Sequence, residues 1–205
     1  MSGELHVTVG CMFAGKSTLA MTEVYRNCSI KRAVLVVKHH ADVARNGSAA
    51  LQTHDGFTCP GVAVGQLVPM LTDPRYQTAQ IVVVEEAQFF PDLLEFCALA
   101  VERDGKIVHV YGLDADCLRR PFGQVAELLP RADTFRKVHA LCQLCRNGRP
   151  AIHTLHRSAL TVANDISVGG GETYMALCRQ HYVEQMASVQ NVDTAMLINW
   201  SATRA

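Results

Sequence analysis

Short apolar runs alternate with polar segments through the first two thirds of the chain. Continuous runs of this kind are typical of parallel strands that are covered on both faces. The pattern predicts strands over 5–9, 33–37, 81–84, 107–111 and 134–141. Apolar residues spaced three or four apart predict helices over 17–28 and 92–103. Strands that alternate with helices indicate an α/β fold built on a parallel sheet.

The pattern changes in two parts of the chain. Residues 39–60 are interrupted by Asn, Gly, Asp and Pro, which predicts a loop-rich excursion. From Cys142 onward, Cys, Gly and polar residues replace the apolar runs. We therefore expect an α/β domain over 1–141, a smaller domain over 142–190 and a tail over 191–205.

The amino-acid composition indicates which kinds of molecule the protein binds. Lys plus Arg equal Asp plus Glu at 19 each in 205 residues, so no net positive field attracts nucleic acid or an anionic membrane. No apolar run approaches the roughly 20 residues that a membrane helix needs. The first residues lack the basic and apolar segments of a secretory signal. We expect a cytoplasmic protein that acts on small molecules.

A phosphate-binding loop follows the first predicted strand. The sequence GCMFAGKS fits the pattern G-x-x-x-x-G-K-[ST] between a strand and a helix. Backbone N–H groups in such a loop point at phosphate oxygens, the lysine reaches the β- and γ-phosphates, and the serine hydroxyl ligates Mg²⁺. The loop comprises Gly10, Cys11, Met12, Phe13, Ala14, Gly15, Lys16 and Ser17. It predicts a nucleoside triphosphate site.

Two carboxylates follow the third predicted strand. Strand ends in a parallel α/β sheet face the ligand crevice, so we expect Glu85 at the Mg²⁺ site and Glu86 facing an acceptor. A carboxylate beside the acceptor can take its proton during phosphoryl transfer. Glu86 is therefore the predicted general base. The alternative is that both acids merely precede a helix, where negative charge is favourable.

Paired cysteines predict a metal site in the second domain. Cys142 and Cys145 form a CxxC pair, and Cys178 and His181 form a CxxH pair, with 32 residues between the two pairs. Three thiolates and one imidazole are a typical tetrahedral Zn²⁺ set, and four protein ligands leave no open position for catalysis. We expect structural zinc. Zinc bound at these four residues would order the glycine-rich segment 168–174, whose backbone and Tyr174 could then approach a flat ligand.

Taken in order, seven motifs resemble one family. They are GCMFAGKS, THD at 53–55, EEAQFF at 85–90, RRPFG at 119–123, CQLC, VGGGETY at 168–174 and CRQH. This combination closely resembles the cytosolic, zinc-containing class of thymidine kinases over residues 4–184. The resemblance implies a RecA-like P-loop NTPase fold with a small C-terminal zinc-binding lasso domain. It also implies transfer of the γ-phosphate of ATP to the 5′-hydroxyl of thymidine, with deoxyuridine as a second substrate.

The resemblance also implies roles for individual residues. Glu86 matches the proton acceptor, and Cys142, Cys145, Cys178 and His181 match the zinc ligands. Besides the loop 10–17, the positions that match the ATP and Mg²⁺ site are Asp42, Arg45, Glu85 and Gln88. The positions that match the thymidine pocket are Met12, Phe89, Leu113, Cys117, Phe122, Thr154, Asp165, Ile166, Ser167, Val168, Gly169 and Tyr174. A homotetramer inhibited by thymidine triphosphate (dTTP) is implied as well.

Three positions depart from the family pattern. Glu85 stands where the family usually has Asp, which places the carboxylate one methylene further from the backbone. Cys117 stands where the family commonly has Phe, which removes a flat surface from the pocket and favours a broader substrate range. The family's D-x-R is one residue longer here, as Asp42-Val43-Ala44-Arg45.

Two other functions use some of the same motifs. An energy-transducing ATPase would have the same loop, with Glu86 activating water instead of a sugar hydroxyl. A zinc-ribbon nucleic-acid module would explain CxxC and CxxH, but the zero net charge counts against it.

Overall fold

The computed structural model describes residues 3–41, 50–52, 58–157 and 172–190. A six-stranded parallel sheet forms its centre, in the order β5-β2-β6-β7-β1-β8. Its strands are β1 (Glu4–Gly10), β2 (Val34–His39), β5 (Val62–Val64), β6 (Ile81–Glu85), β7 (Ile107–Gly112) and β8 (Thr134–Val138). The predicted α/β fold with a parallel sheet is confirmed.

Helices cover the sheet. The α-helices are α1 (Lys16–Ser29), α2 (Pro74–Thr78), α3 (Leu93–Ala98) and α4 (Arg179–Gln190). A π-helical turn, Leu99–Arg103, continues α3, and 3₁₀ turns form at Val68–Thr72, Ala87–Phe89 and Val125–Arg131. None of the helices in the described ranges is both long and apolar enough to span a bilayer.

Burial along β6 shows why its sequence is apolar throughout. Val82 and Val84 belong to the main core beneath α3 and the 3₁₀ turns. Ile81 and Val83 belong to a second core beneath α1. Because alternate residues of a strand point to opposite faces, both faces of the sheet are buried at this strand.

Two predicted elements differ in their limits. The run 134–141 predicted one strand, but the structure divides it into β8 and a short β9, Ala140–Leu141. β9 leaves the main sheet to pair antiparallel with β10, Pro150–Ala151. The excursion 39–60 contains a small antiparallel pair, β3 (Leu51–Gln52) and β4 (Thr58–Cys59).

The C-terminal part, residues 140–157 and 172–190, contains a further, smaller hydrophobic core. Strands β11 (His153–His156) and β12 (Tyr174–Leu177) pair antiparallel, and α4 packs beside them. Their buried residues include Leu155, Leu177 and Tyr182. Cys11 of the phosphate-binding loop belongs to the same cluster. The C-terminal part therefore packs directly on that loop.

Candidate active site and metal centre

The phosphate-binding loop lies at the carboxyl-terminal edge of the sheet, between β1 and α1. Gly15 has φ of 78°, a left-handed conformation that costs glycine little, and α1 begins at the next residue. At Gly10 a Cβ atom would lie 2.3 Å from the carbonyl oxygen of Val138, so only glycine fits. Lys16 Nζ donates to the carbonyl oxygens of Gly10 and Cys11, at 3.1 and 2.9 Å. The lysine therefore lies across its own loop, as a phosphate-binding lysine must.

A hydroxyl and a carboxylate meet next to the loop. Ser17 Oγ donates to Glu85 Oε1 at 2.5 Å, and the other Glu85 oxygen lies 3.7 Å from Lys38 Nζ. The Lys38 and Glu85 side chains are almost fully buried, at 3% and 5% exposure. A hydroxyl and a carboxylate oxygen are ligands that Mg²⁺ prefers, so this pair fits a magnesium site. The extra methylene of Glu85 does not keep its carboxylate from the serine.

Glu86 leaves β6 in a different conformation from Glu85. Its φ of 54° is left-handed, which is uncommon for a residue with a side chain. Gln88 Nε2 donates to Glu86 Oε2 at 2.5 Å, and the backbone N–H of Leu113 donates to Gln88 Oε1 at 2.9 Å. The buried glutamine therefore uses both ends of its amide to fix the half-buried Glu86 carboxylate against the end of β7.

Aromatic rings lie beside these carboxylates. Phe89 and Phe122 meet edge to face, with ring centroids 5.5 Å apart, and the His39 ring lies 5.7 Å from Phe89. Phe89 and Phe122 are half-buried, so part of each ring remains accessible. The structure thus brings together two of the aromatic residues that the resemblance assigned to a nucleoside pocket.

The C-terminal part touches the phosphate-binding loop through two hydrogen bonds. Cys11 Sγ donates to the carbonyl oxygen of Ala151 at 3.3 Å. The backbone N–H of Met12 donates to Thr154 Oγ1 at 3.0 Å. Thr154 is buried, so its hydroxyl supports the loop through the backbone.

The remaining predicted pocket residues have different positions. Tyr174 is buried, with its ring edge to face with that of His156 at 4.8 Å. Cys117 is half-buried, and burial raises the pKa of its thiol. Asp42, Arg45 and the range 165–169 lie outside the described residues.

The four predicted metal ligands converge. Their Sγ and N atoms all lie within 4.8 Å of one another, the single such Cys/His cluster in the described ranges. His181 Nδ1 is 3.4 Å from Cys142 Sγ, 3.3 Å from Cys145 Sγ and 3.5 Å from Cys178 Sγ. A tetrahedral zinc site with bonds of about 2.3 Å to sulfur and about 2.0 Å to nitrogen requires edges of roughly 3.5 Å. The cluster therefore has the size of a zinc site.

The protein also stabilises a thiolate in this cluster. Burial raises the pKa of Cys142, but backbone N–H groups of Cys178 and Cys145 and the His181 ring outweigh burial and lower it to about 6. A thiolate is the form that binds zinc. The donor set and its spacing fit Zn²⁺.

Sequence reasoning missed Lys38 and the positioning role of Gln88. Lys38 carried a signal, since it is the one charged residue within the apolar strand β2. A buried lysine at a strand end requires a nearby anion, which here is Glu85. The bond between Gln88 and Leu113 had no such signal, because it joins the turn after β6 to the residue that follows β7, 25 positions later.

The parallel sheet, the loop 10–17 and the two carboxylates define a P-loop nucleotide-binding protein with an attached Cys₃His cluster that could hold a metal ion. The family model described as thymidine kinase matches residues 3–182. Rice thymidine kinase is 41% identical over 186 residues, which cover 89% of this chain and 67% of that protein. Thymidine kinase a from Arabidopsis thaliana is 38% identical, with coverage of 89% and 76%. Human cytosolic thymidine kinase is 33% identical, with coverage of 89% and 74%.

The chain therefore belongs to the thymidine kinase family. This membership confirms the resemblance and makes the chain an ATP-dependent kinase.

Proposed function

We propose that this chain phosphorylates thymidine at its 5′-hydroxyl with the γ-phosphate of ATP, and that Glu86 is the general base. Family membership supports the reaction. One observation carries the assignment of the base: of two consecutive carboxylates, Glu85 accepts a hydrogen bond from Ser17, whereas Glu86 is held by Gln88. Glu85 is therefore assigned to the phosphate-binding end of the site, and Glu86 is assigned to the acceptor.

The chain's own groups account for binding of the donor. The N–H groups of the loop 10–17 and the N-terminus of α1 bind the phosphates, and Lys16 exchanges its two carbonyl partners for phosphate oxygens. Ser17 and Glu85 would hold Mg²⁺, which offsets the negative charge of the phosphates when it is bound. Lys38 Nζ lies 3.7 Å from Glu85 Oε2, so this buried carboxylate has a positive charge beside it. Asp42 and Arg45 are proposed to complete the ATP site.

The proton transfer is assigned to Glu86. Its carboxylate accepts the proton of the 5′-hydroxyl as the oxygen attacks the γ-phosphorus, and the bond to the leaving diphosphate oxygen breaks. Gln88 holds the carboxylate in one orientation, so the base does not have to be ordered during the reaction.

The acceptor pocket is proposed to be lined by residues from both parts of the chain. Met12, Phe89, Leu113, Cys117 and Phe122 would form its walls. The range 165–169 would hold the pyrimidine through its backbone, with Tyr174 near the sugar and Thr154 supporting the loop below. Cys117 is smaller than the phenylalanine usual in the family, so deoxyuridine and other pyrimidine deoxynucleosides are expected to be accepted more readily.

A nucleoside panel tests this function. ADP release is measured with thymidine, deoxyuridine, deoxycytidine and purine deoxynucleosides, and without any acceptor. We expect ADP release to rise well above the acceptor-free rate when thymidine is added, with thymidine monophosphate as product. ADP release that is independent of the nucleoside would instead support the ATPase alternative.

Zinc, assembly, regulation and location complete the proposal. Cys142, Cys145, Cys178 and His181 are proposed to hold one structural Zn²⁺, supported by their mutual spacing. A homotetramer, inhibition by dTTP and the absence of nucleic-acid or membrane partners rest on family membership and zero net charge. A cytoplasmic location is supported by the human and bovine relatives named as cytosolic.

A further inference from the structure

The loop after β7, residues 113–123, is fixed to Gln88 at both ends. At its start, the backbone N–H of Leu113 donates to Gln88 Oε1 at 2.9 Å. At its end, Gly123 packs so closely that a Cβ atom would lie 2.2 Å from the carbonyl oxygen of Gln88. Gly123 also has φ of 58°. Both ends of this loop therefore contact Gln88, the residue that orients Glu86.

Within the loop, one carboxylate organises the backbone. Asp116 Oδ1 accepts from the N–H groups of Leu118 and Arg120, both at 2.9 Å. The N–H of Asp116 donates to the carbonyl oxygen of Arg120 at 2.9 Å, and Ala115 pairs with Pro121 as an isolated bridge. These bonds close the loop on itself between Ala115 and Pro121, so the tip keeps its own shape.

The tip of this loop is held by Tyr182, which follows the metal ligand His181 in α4. Tyr182 Oη donates to the carbonyl oxygen of Cys117 at 2.6 Å. The guanidinium carbon of Arg119 lies 5.0 Å from the centre of the Tyr182 ring, within range of a cation–π contact. The tyrosine is 1% exposed. A buried phenol hydroxyl usually finds such a partner, but this partner belongs to a segment 65 residues away.

Tyr182 is itself fixed to the metal centre. Its backbone N–H donates to the carbonyl oxygen of Cys178 at 3.0 Å, within the turn that carries two of the four metal ligands. Its ring packs beside that of His153, with centroids 4.9 Å apart. The position of the Tyr182 hydroxyl is therefore set by the turn that carries Cys178 and His181.

We infer that Tyr182 is a positioning residue for the acceptor site, which joins the metal centre to the wall formed by the 113–123 loop. The inference rests on the proposed function, since it takes Cys117 and Phe122 as walls of the thymidine pocket. Phe122 lies in this loop and meets Phe89 edge to face. When the Cys117 carbonyl loses its donor, the tip is released while the ends stay bound to Gln88. Binding of thymidine then suffers, whereas ATP binding at 10–17 does not.

The test is the variant Tyr182→Phe, which removes one hydroxyl and keeps the ring. We expect the KM for thymidine to rise by roughly 3- to 10-fold, the effect of one net hydrogen bond, with the KM for ATP within about 2-fold of wild type. Zinc content is expected to stay at the wild-type value. This split between the two substrates would not arise from a general loss of stability.

Tyr76→Phe is the matched control. Tyr76 is fully buried, and its hydroxyl donates to Asp104 Oδ2 at 2.7 Å, away from the residues of the proposed site. Tyr76→Phe also loses a buried phenol hydrogen bond, here to a carboxylate, so we expect a fall in thermal stability at least as large, with both KM values unchanged. A second variant, Arg119→Gln, removes the cation over the Tyr182 ring and should raise the KM for thymidine in the same direction.

The outcomes separate this inference from the proposed function. A wild-type protein that does not phosphorylate thymidine overturns the function. A wild-type protein that does so, together with Tyr182→Phe and Arg119→Gln variants that keep its KM for thymidine, overturns the role of Tyr182 alone. If Tyr182→Phe does not fold, Arg119→Gln decides the question by the same criterion.

Discussion

The backbone N–H of Met12 donates to the hydroxyl of Thr154 at 3.0 Å. The two residues are 142 positions apart, and they join the phosphate-binding loop to β11 of the C-terminal part. With the bond from Cys11 to Ala151, this contact makes the loop a shared element of both parts. The sequence motif alone describes a loop held only by its own strand and helix.

Thr154→Val is expected to destabilise the protein and weaken ATP binding. Valine keeps the shape of threonine but deprives the part-buried Met12 N–H of its acceptor, which costs about 1 kcal/mol. Urea unfolding measures the loss, and titration with ATP measures the affinity. Thr154→Ser, which keeps the hydroxyl, should retain most of both. Wild-type stability and affinity in the valine variant would show that the bond contributes nothing.

His181→Ala is expected to release the metal and lower the midpoint of thermal unfolding. Four ligands at tetrahedral spacing predict one zinc per chain in the wild type, measured by elemental analysis. His181→Cys should keep the metal, since four thiolates also bind zinc. Cys28→Ser, at an exposed cysteine outside the cluster, is the control and should change neither quantity. A wild-type protein that contains no zinc and is no more stable than His181→Ala would contradict the assignment of these residues as zinc ligands.

Gln88→Met is expected to lower kcat by about 10-fold or more, with a smaller effect on the KM for ATP. Methionine has a similar length but cannot donate to Glu86 or accept from Leu113. Gln124→Met is the matched control, because Gln124 Oε1 accepts only a backbone N–H, that of Leu94 at 3.0 Å. Steady-state kinetics of both variants measure the difference. Equal kcat values in the two variants would show that Gln88 has no specific role in positioning Glu86.

Protein stability is expected to fall as the pH is lowered from about 6.5 to about 4, in part because of His109. Burial and the adjacent His6 ring lower the pKa of His109 to about 4, although Glu23 opposes this shift. Below 6.5 the unfolded chain takes up a proton at this position that the folded chain does not. As the pH falls from 6.5 to about 4, the difference in protonation of His109 therefore lowers the stability of the protein by up to about 1.4 kcal/mol per pH unit. Above pH 6.5 His109 causes no such loss.

His109→Gln isolates that contribution. Urea unfolding of wild type and variant at several pH values gives two slopes, and every other titratable group is common to both proteins. We expect a shallower dependence on pH in the variant. Identical slopes would show that His109 has the same pKa in the folded and unfolded chains.

Local patterns were sufficient to predict the phosphate-binding loop and five of the six strands of the sheet, but not the short edge strand β5. The apolar run at β6 indicated burial on both faces, and Val82 and Val83 do pack on opposite faces. The metal ligands were also predictable, because each pair lies within one turn and zinc requires all four together. These features depend on residues that are close in sequence or on a donor set with one common use.

Contacts between distant segments could not be predicted in the same way. The break between β8 and β9 follows from pairing of Ala140 with Ala151 in a different sheet, and no residue near 139 marks it. The hydrogen bond from Tyr182 to Cys117 likewise joins two segments that carry no shared pattern. The roles of Asp42, Arg45 and 165–169 remain predictions, since these residues lie outside the described ranges.

The most direct test of the account is the turnover of thymidine by Glu86→Gln, compared with Glu95→Gln. Glutamine keeps the size of the side chain but cannot accept the proton of the 5′-hydroxyl, whereas Glu95 is an exposed residue of α3. We expect kcat to fall by about 100-fold or more in Glu86→Gln, with the KM for ATP nearly unchanged, and wild-type kinetics in Glu95→Gln. A kcat for Glu86→Gln within a few-fold of wild type would contradict the assignment of Glu86 as the base.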